Sequence, residues 1–90
     1  MNYQIFCITK SIPNGGHEHI THAGGHGWTL TVDQIISRID SGSDKFYVRD
    51  SAGRSAWVGV VRPAGRRAYI RTYADGVWTD NLLALDACLV

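Results

Sequence analysis

Ninety residues, 44% hydrophobic and 19% charged, with three Trp and four Tyr, suit one folded domain: too apolar for a disordered chain and too short for two domains. The formal net charge is only +1, but seven basic residues from Lys45 to Arg71 stand against Asp50 alone, while Lys10 and Arg38 face seven acids in the remainder. No run approaches the roughly eighteen apolar residues of a membrane span, and the start lacks a basic stretch before a long apolar one, so the expected location is the cytoplasm, away from membranes.

Tyr3–Ile8, with Ile5, Phe6 and Ile8, reads as a first strand, closed by the turn-forming Ser11–Gly16. His17–Ala23 reads as a second, ended by Gly24-Gly25, with Gly24-Gly25-His26-Gly27 as a flexible connection. Thr31-Val32-Asp33-Gln34 fits a capping box, with Leu30 and Ile35 at the staple positions. Val32, Ile35, Ile36 and Ile39 then repeat at helical spacing and Gly42 offers a left-handed stop, which predicts a helix over about 32–41.

Three strands follow, Lys45–Asp50, Arg54–Arg62 and Arg66–Tyr73, joined by Ser51-Ala52-Gly53 and Pro63-Ala64-Gly65, each read as a three-residue hairpin loop. Pairing Asp50 with Arg54 and Arg62 with Arg66 places Phe46, Val48, Ala56, Val58, Val60, Ala68 and Ile70 on one face, the core side. Lys45, Tyr47, Arg49, Trp57, Val61, Arg67, Tyr69, Arg71 and Tyr73 take the other. Asp75-Gly76 makes a turn, and Leu82, Leu83 and Leu85 suggest a tail folded back over an edge or an end of the core. The expected fold is α+β: a mainly antiparallel sheet of four to five strands with one helix on its apolar face.

All four histidines lie between His17 and His26, and imidazole is both a near-neutral titrant and the commonest metal ligand. On an extended strand His17 and His19 share a face and His22 leaves by the other. The metal reading therefore reduces to His17 and His19 completed by Cys7 or Cys88; against it stands plain hydrogen bonding at a sheet edge or in a loop. Cys7 and Cys88 lack CxxC spacing and are expected as buried free thiols. A Cys7–His pair is the sole local nucleophile candidate, and Asp75 and Asp80 suit a turn and a cap better than an acid–base pair. The glycines at 24–27 lack the Lys-Ser/Thr of a phosphate loop. No enzyme mechanism and no cofactor are expected.

Several segments together carry a resemblance: Gly16-His17-Glu18-His19-Ile20-Thr21-His22-Ala23-Gly24-Gly25, Trp28, Phe46-Tyr47-Val48, Tyr69-Ile70-Arg71-Thr72-Tyr73-Ala74-Asp75-Gly76, Asp80-Asn81-Leu82-Leu83-Ala84-Leu85 and Cys88. From about Ile5 to Cys88 the chain resembles the small bacterial proteins called domain of unknown function 3892, most specifically in Thr-x-x-Asp-Gly followed by Asp-Asn-Leu-Leu. Members usually carry Pro before the terminal acidic-Cys pair, where this chain has Ala84-Leu85-Asp86-Ala87-Cys88. The resemblance implies one compact domain and brings no activity.

What remains is the face carrying Tyr47, Arg49, Trp57, Arg67, Tyr69, Arg71 and Tyr73. Aromatic rings stack on bases and arginines meet phosphates, so this face predicts a non-enzymatic module that binds single-stranded nucleic acid. The same side chains anchor protein interfaces, which leaves a protein partner or a second copy of the chain as the alternative; a histidine-dependent metal-binding protein is the third. Cross-strand aromatic and arginine pairs also stabilise an ordinary sheet without any partner.

Overall fold

Ile5 and Phe6 divide the first apolar run between two sheets. The Ile5 amide donates to the Tyr47 carbonyl and the Phe6 amide to the Gly24 carbonyl, each at 2.8 Å, so the predicted single strand is two. The computed structural model describes residues 1–88, with strands β1 (Asn2–Gln4), β2 (Cys7–Lys10), β3 (Ile20–Gly25), β4 (Trp28–Thr31), β5 (Lys45–Arg49), β6 (Ser55–Val61), β7 (Tyr69–Ala74), β8 (Val77–Thr79) and β9 (Asp86–Ala87). One helix, α1 (Val32–Asp40), and two 3-10 turns, His17–His19 and Asn81–Ala84, complete the described elements. The strands form a five-stranded sheet in the order β1-β5-β6-β7-β8 and a four-stranded one in the order β4-β3-β2-β9. The fold is α+β and mostly antiparallel; β1 with β5 and β2 with β9 are the parallel pairs among the described strands.

The second sheet is what the sequence pattern did not suggest. Trp28–Thr31, immediately before the helix, pairs with β3 through a two-residue turn at His26-Gly27. Gly24 and Gly25 belong to β3 rather than to a flexible connection. A Cβ on Gly25 would stand 2.6 Å from both the Gln4 carbonyl and the Trp28 ring, so the close approach of backbone and indole requires glycine there.

Helix α1 begins as predicted: the Gln34 amide donates to Thr31 Oγ1 at 3.1 Å and the Thr31 amide to Gln34 Oε1 at 2.9 Å. It ends at Ser41 with Gly42 at φ 75°, where a side chain would be strained. Val32 and Ile35 are buried and Ile36 and Ile39 half-buried, and the helix touches strands of both sheets. The core joins Ile5, Ile8, Ile20, Ala23, Ile35, Phe46, Val48, Val58, Ile70 and Leu82 into one cluster.

Cys7 and Cys88 form a disulfide, which overturns the free-thiol expectation. The β2–β9 pairing brings the tail alongside β2, the Cys88 amide donates to the Ile8 carbonyl at 3.1 Å, and the two Cα atoms are 4.8 Å apart, within bridging range. With 81 residues of separation, no local spacing could announce it. No described helix is long and apolar enough to cross a membrane.

Candidate functional site

Strand alternation sends Phe46, Val48, Ala56, Val58, Ile70 and Thr72 inward, all buried, and the residues between them outward. The Asp50–Arg54 hairpin has the predicted register, but Val61 pairs with Tyr69, so β7 is displaced by two residues from the expected Arg62–Arg66 pairing. A shift of two preserves the faces. In the connecting loop Arg62 is ion-paired with Asp40 and Arg67 with Asp33 at 2.6 Å, so both ends of the loop lie against α1.

The outward residues form a row. Tyr47 pairs with Trp57, Trp57 with Tyr73 and Tyr73 with Trp78, in direct register across β5, β6, β7 and β8. Tyr47 and Trp57 meet edge to face with centroids 5.9 Å apart, as do Tyr73 and Trp78 at 5.7 Å. Trp57, Tyr73 and Trp78 keep 41%, 40% and 45% of their surface exposed and Tyr47 is half-buried, so no layer of the described residues covers the row. The C-terminal leucines turn to the opposite side, where Leu82 is fully buried in the core. Lys45 Nζ lies 5.4 Å from the Trp57 ring and the Arg49 guanidinium 5.8 Å from that of Tyr47, both within cation–π range. A Cβ on Gly59 would stand 3.2 Å from the Trp78 ring and 3.3 Å from that of Tyr73; the bare glycine lets both rings lie down on the sheet.

Trp78 was absent from the predicted site. Asp75 and Gly76 both adopt positive φ, 53° and 77°, forming a two-residue hairpin turn, and Asp-Gly is the sequence signal for such a turn. Followed through, it places Trp78 opposite Tyr73.

The basic half of the prediction changes more. Arg67 lies in the loop before β7 rather than on the face, and Arg71, although on the face, donates to the Thr79 carbonyl at 3.1 Å and to Asp80 Oδ1 at 2.9 Å. Arg54 pairs with Asp50, whose carboxyl is held below its usual range, first by the Arg54 amide. The basic segment is thus largely neutralised by carboxylates, most of them from the acidic remainder of the chain. Lys45, Arg49 and Arg66 take no carboxylate partner among the described residues.

The histidines disperse. His17 and His19 sit on a 3-10 turn, not a strand, and with three residues per turn positions two apart do not share a side. His19 faces Glu18 at 3.7 Å and Ser11 at 3.5 Å, His22 Nδ1 meets Thr21 Oγ1 at 2.9 Å, and the His26 ring lies tilted against that of Phe6 with centroids 4.1 Å apart. No three metal-ligating side chains converge among the described residues, and both cysteines are in the disulfide, so the site of His17 and His19 with a cysteine does not form. His17 alone is buried, 7% exposed, its ring against Tyr69. Its Nε2 has no hydrogen-bond partner among the described residues and lies 3.9 Å from Asp80 Oδ1.

His17, Tyr69, Arg71 and Asp80 come from three separate segments of the resemblance and meet at one place. A family model described as a protein of unknown function, DUF3892, matches residues 4–86. The chain belongs to that family. Comparisons with curated proteins and with solved structures find no match. The segments that mark the DUF3892 pattern are therefore brought together by the fold, the His-rich segment packing against β7 and the Asp80 segment closing on both.

Burial, then Arg71, push the His17 pKa below its ordinary 6.5, outweighing Asp80 and Glu18. The native imidazole stays neutral where the unfolded one takes up a proton. Stability is expected to fall as pH drops below about 6.5, levelling off below the folded pKa, because the unfolded state then binds more protons. Urea unfolding across this range measures it, and His17→Gln is expected to flatten the profile; an equal slope in the variant would assign the loss elsewhere.

Proposed function

We propose that this domain is a non-enzymatic module that binds single-stranded nucleic acid by stacking bases on Tyr47, Trp57, Tyr73 and Trp78, with Lys45 and Arg49 meeting the phosphates. The observation that supports it most is the largely exposed aromatic row in direct register across four strands, flanked by two cations without a carboxylate partner among the described residues. Three strand spacings span about 14 Å, and sheet modules with such aromatics take two or three bases.

Titration of the tryptophan fluorescence with oligo-dT at low salt tests the reading. Trp57→Ala and Trp78→Ala are each expected to weaken binding by about 1–3 kcal/mol, while Arg67→Ala leaves it unchanged. With two phosphate contacts, log affinity should fall against log salt with a slope of about −1.4. A slope several times steeper would return the paired arginines to the interface, and no binding at millimolar oligonucleotide would end the proposal. Gly59→Val, which pushes on the Tyr73 and Trp78 rings from below, is expected to cost about as much affinity as losing one stack, with a native circular dichroism spectrum.

The ion pairing of Arg54, Arg62, Arg67 and Arg71 favours a second reading, a protein-binding surface anchored by Trp57, Tyr73 and Trp78 with little charge. Light scattering distinguishes a second copy of the chain: a concentration-dependent dimer abolished by Trp57→Ala would support self-association instead.

A further inference from the structure

His17 is the one side chain with a buried, unpartnered nitrogen among the described residues, and it stands beside the proposed binding face. Its side chain is 8% exposed, and Nε2 lies 3.9 Å from Asp80 Oδ1, too far for a hydrogen bond and near enough that a small ring movement would make one. That same Oδ1 accepts from Arg71 Nη2 at 2.9 Å. Arg71 pairs with Gly59, over which Trp78 and Tyr73 lie, so its guanidinium is next to the stacking row. The titratable and charged groups around His17 are Glu18 and His19 of its own turn, Tyr69 and Arg71 of β7, and Asp80 after β8.

We propose that His17 is a proton-operated switch on this face: protonation draws its imidazolium onto Asp80 and releases Arg71 toward the phosphate of a bound strand. The inference rests on the nucleic-acid reading for its ligand and on the three-residue cluster for its mechanism. With His17 neutral, Arg71 and Asp80 cancel. A protonated His17 competes for the same carboxylate oxygen, and the cluster gains one positive charge. Burial and Arg71 hold this event below the ordinary histidine range, so the face is in its neutral form at pH 7.

Oligo-dT serves as the probe because thymine does not titrate in the range used. Affinity is expected to rise as the pH falls below the ordinary histidine range, by about fivefold once His17 is protonated, the scale of one exposed ion pair, and the salt slope to steepen by about 0.7, the value of one added phosphate contact. His17→Gln should bind as the parent does at pH 7 and lose the rise. Asp80→Asn, which removes the carboxylate charge opposite Arg71 at every pH and leaves its bond to the Thr79 carbonyl, should bind more tightly throughout and with no pH dependence. A pH-independent parent, or a rise retained in His17→Gln, would overturn the switch. An independent readout is nuclear magnetic resonance without nucleic acid, following the His17 ring and the Arg71 Nε–H together. Coupled shifts that disappear in Asp80→Asn support the switch, and an Arg71 signal indifferent to His17 titration rejects it. Absence of oligo-dT binding at every pH would instead reject the nucleic-acid reading, leaving the cluster to be judged by the resonance data.

Discussion

Reduction of the Cys7–Cys88 bond, or Cys88→Ser, is expected to lower the unfolding free energy by about 4 kcal/mol. The bond closes a loop spanning an 81-residue separation, and in the chain-entropy model a loop of this size restricts the unfolded ensemble by about 4.5 kcal/mol. A domain of this length has about 5–13 kcal/mol in all, so the reduced protein would be marginal. Its thermal midpoint should fall by about 15–30 °C. The tail would loosen first, because Cys88 and the Asp86–Ala87 strand hold it along β2. Thermal unfolding with and without reductant, alongside thiol titration, measures this; an unchanged midpoint in fully reduced protein would show that the tail is held by other contacts.

Leu82→Ala is expected to cost about 3 kcal/mol. Leu82 is fully buried on the Asn81–Ala84 turn within a cluster that includes Ile5, Ile8 and Ile70, and truncation removes apolar contact and leaves a cavity that two sheets and a helix cannot easily close. Leu83, half-buried at the cluster's margin, should cost about 1 kcal/mol as alanine. Leu82 and Cys88 secure the same tail, so their losses should not add: in reduced protein Leu82→Ala is expected to cost less, with a coupling of about 0.5–3 kcal/mol. Denaturant unfolding of the two variants, oxidised and reduced, completes the cycle; strict additivity would mean that the turn and the disulfide stabilise independent parts.

The aromatic face and the histidines were legible to different degrees. Alternation in Lys45–Arg49 and residues 55–58 shows which side of each strand faces the core, since side-chain period and burial agree there, whereas residues 59–61 are half-buried throughout, Val60 of the expected core face included. The alternation placed Tyr47, Trp57 and Tyr73 outward, and even a two-residue register change left them so. The pairing of Arg67 and Arg71 is not legible in the strand pattern, because their partners, Asp33 and Asp80, lie outside it. The place of His17 and His19 is not legible either, because a 3-10 turn of three residues has too little sequence signal to be told from a thin strand.

By itself the sequence determined the elements whose physics is local: the helix with its capping box and glycine stop, the Asp50–Arg54 hairpin and the in-out alternation of the central strands. These depend on hydrogen bonds and side-chain directions within a few residues. Tertiary structure alone decided the division of the first strand between two sheets, the Cys7–Cys88 disulfide, the neutralisation of the arginines and the meeting of His17, Arg71 and Asp80. Each joins groups distant in sequence, and no local spacing records which distant partner will reduce their exposure or satisfy their charge.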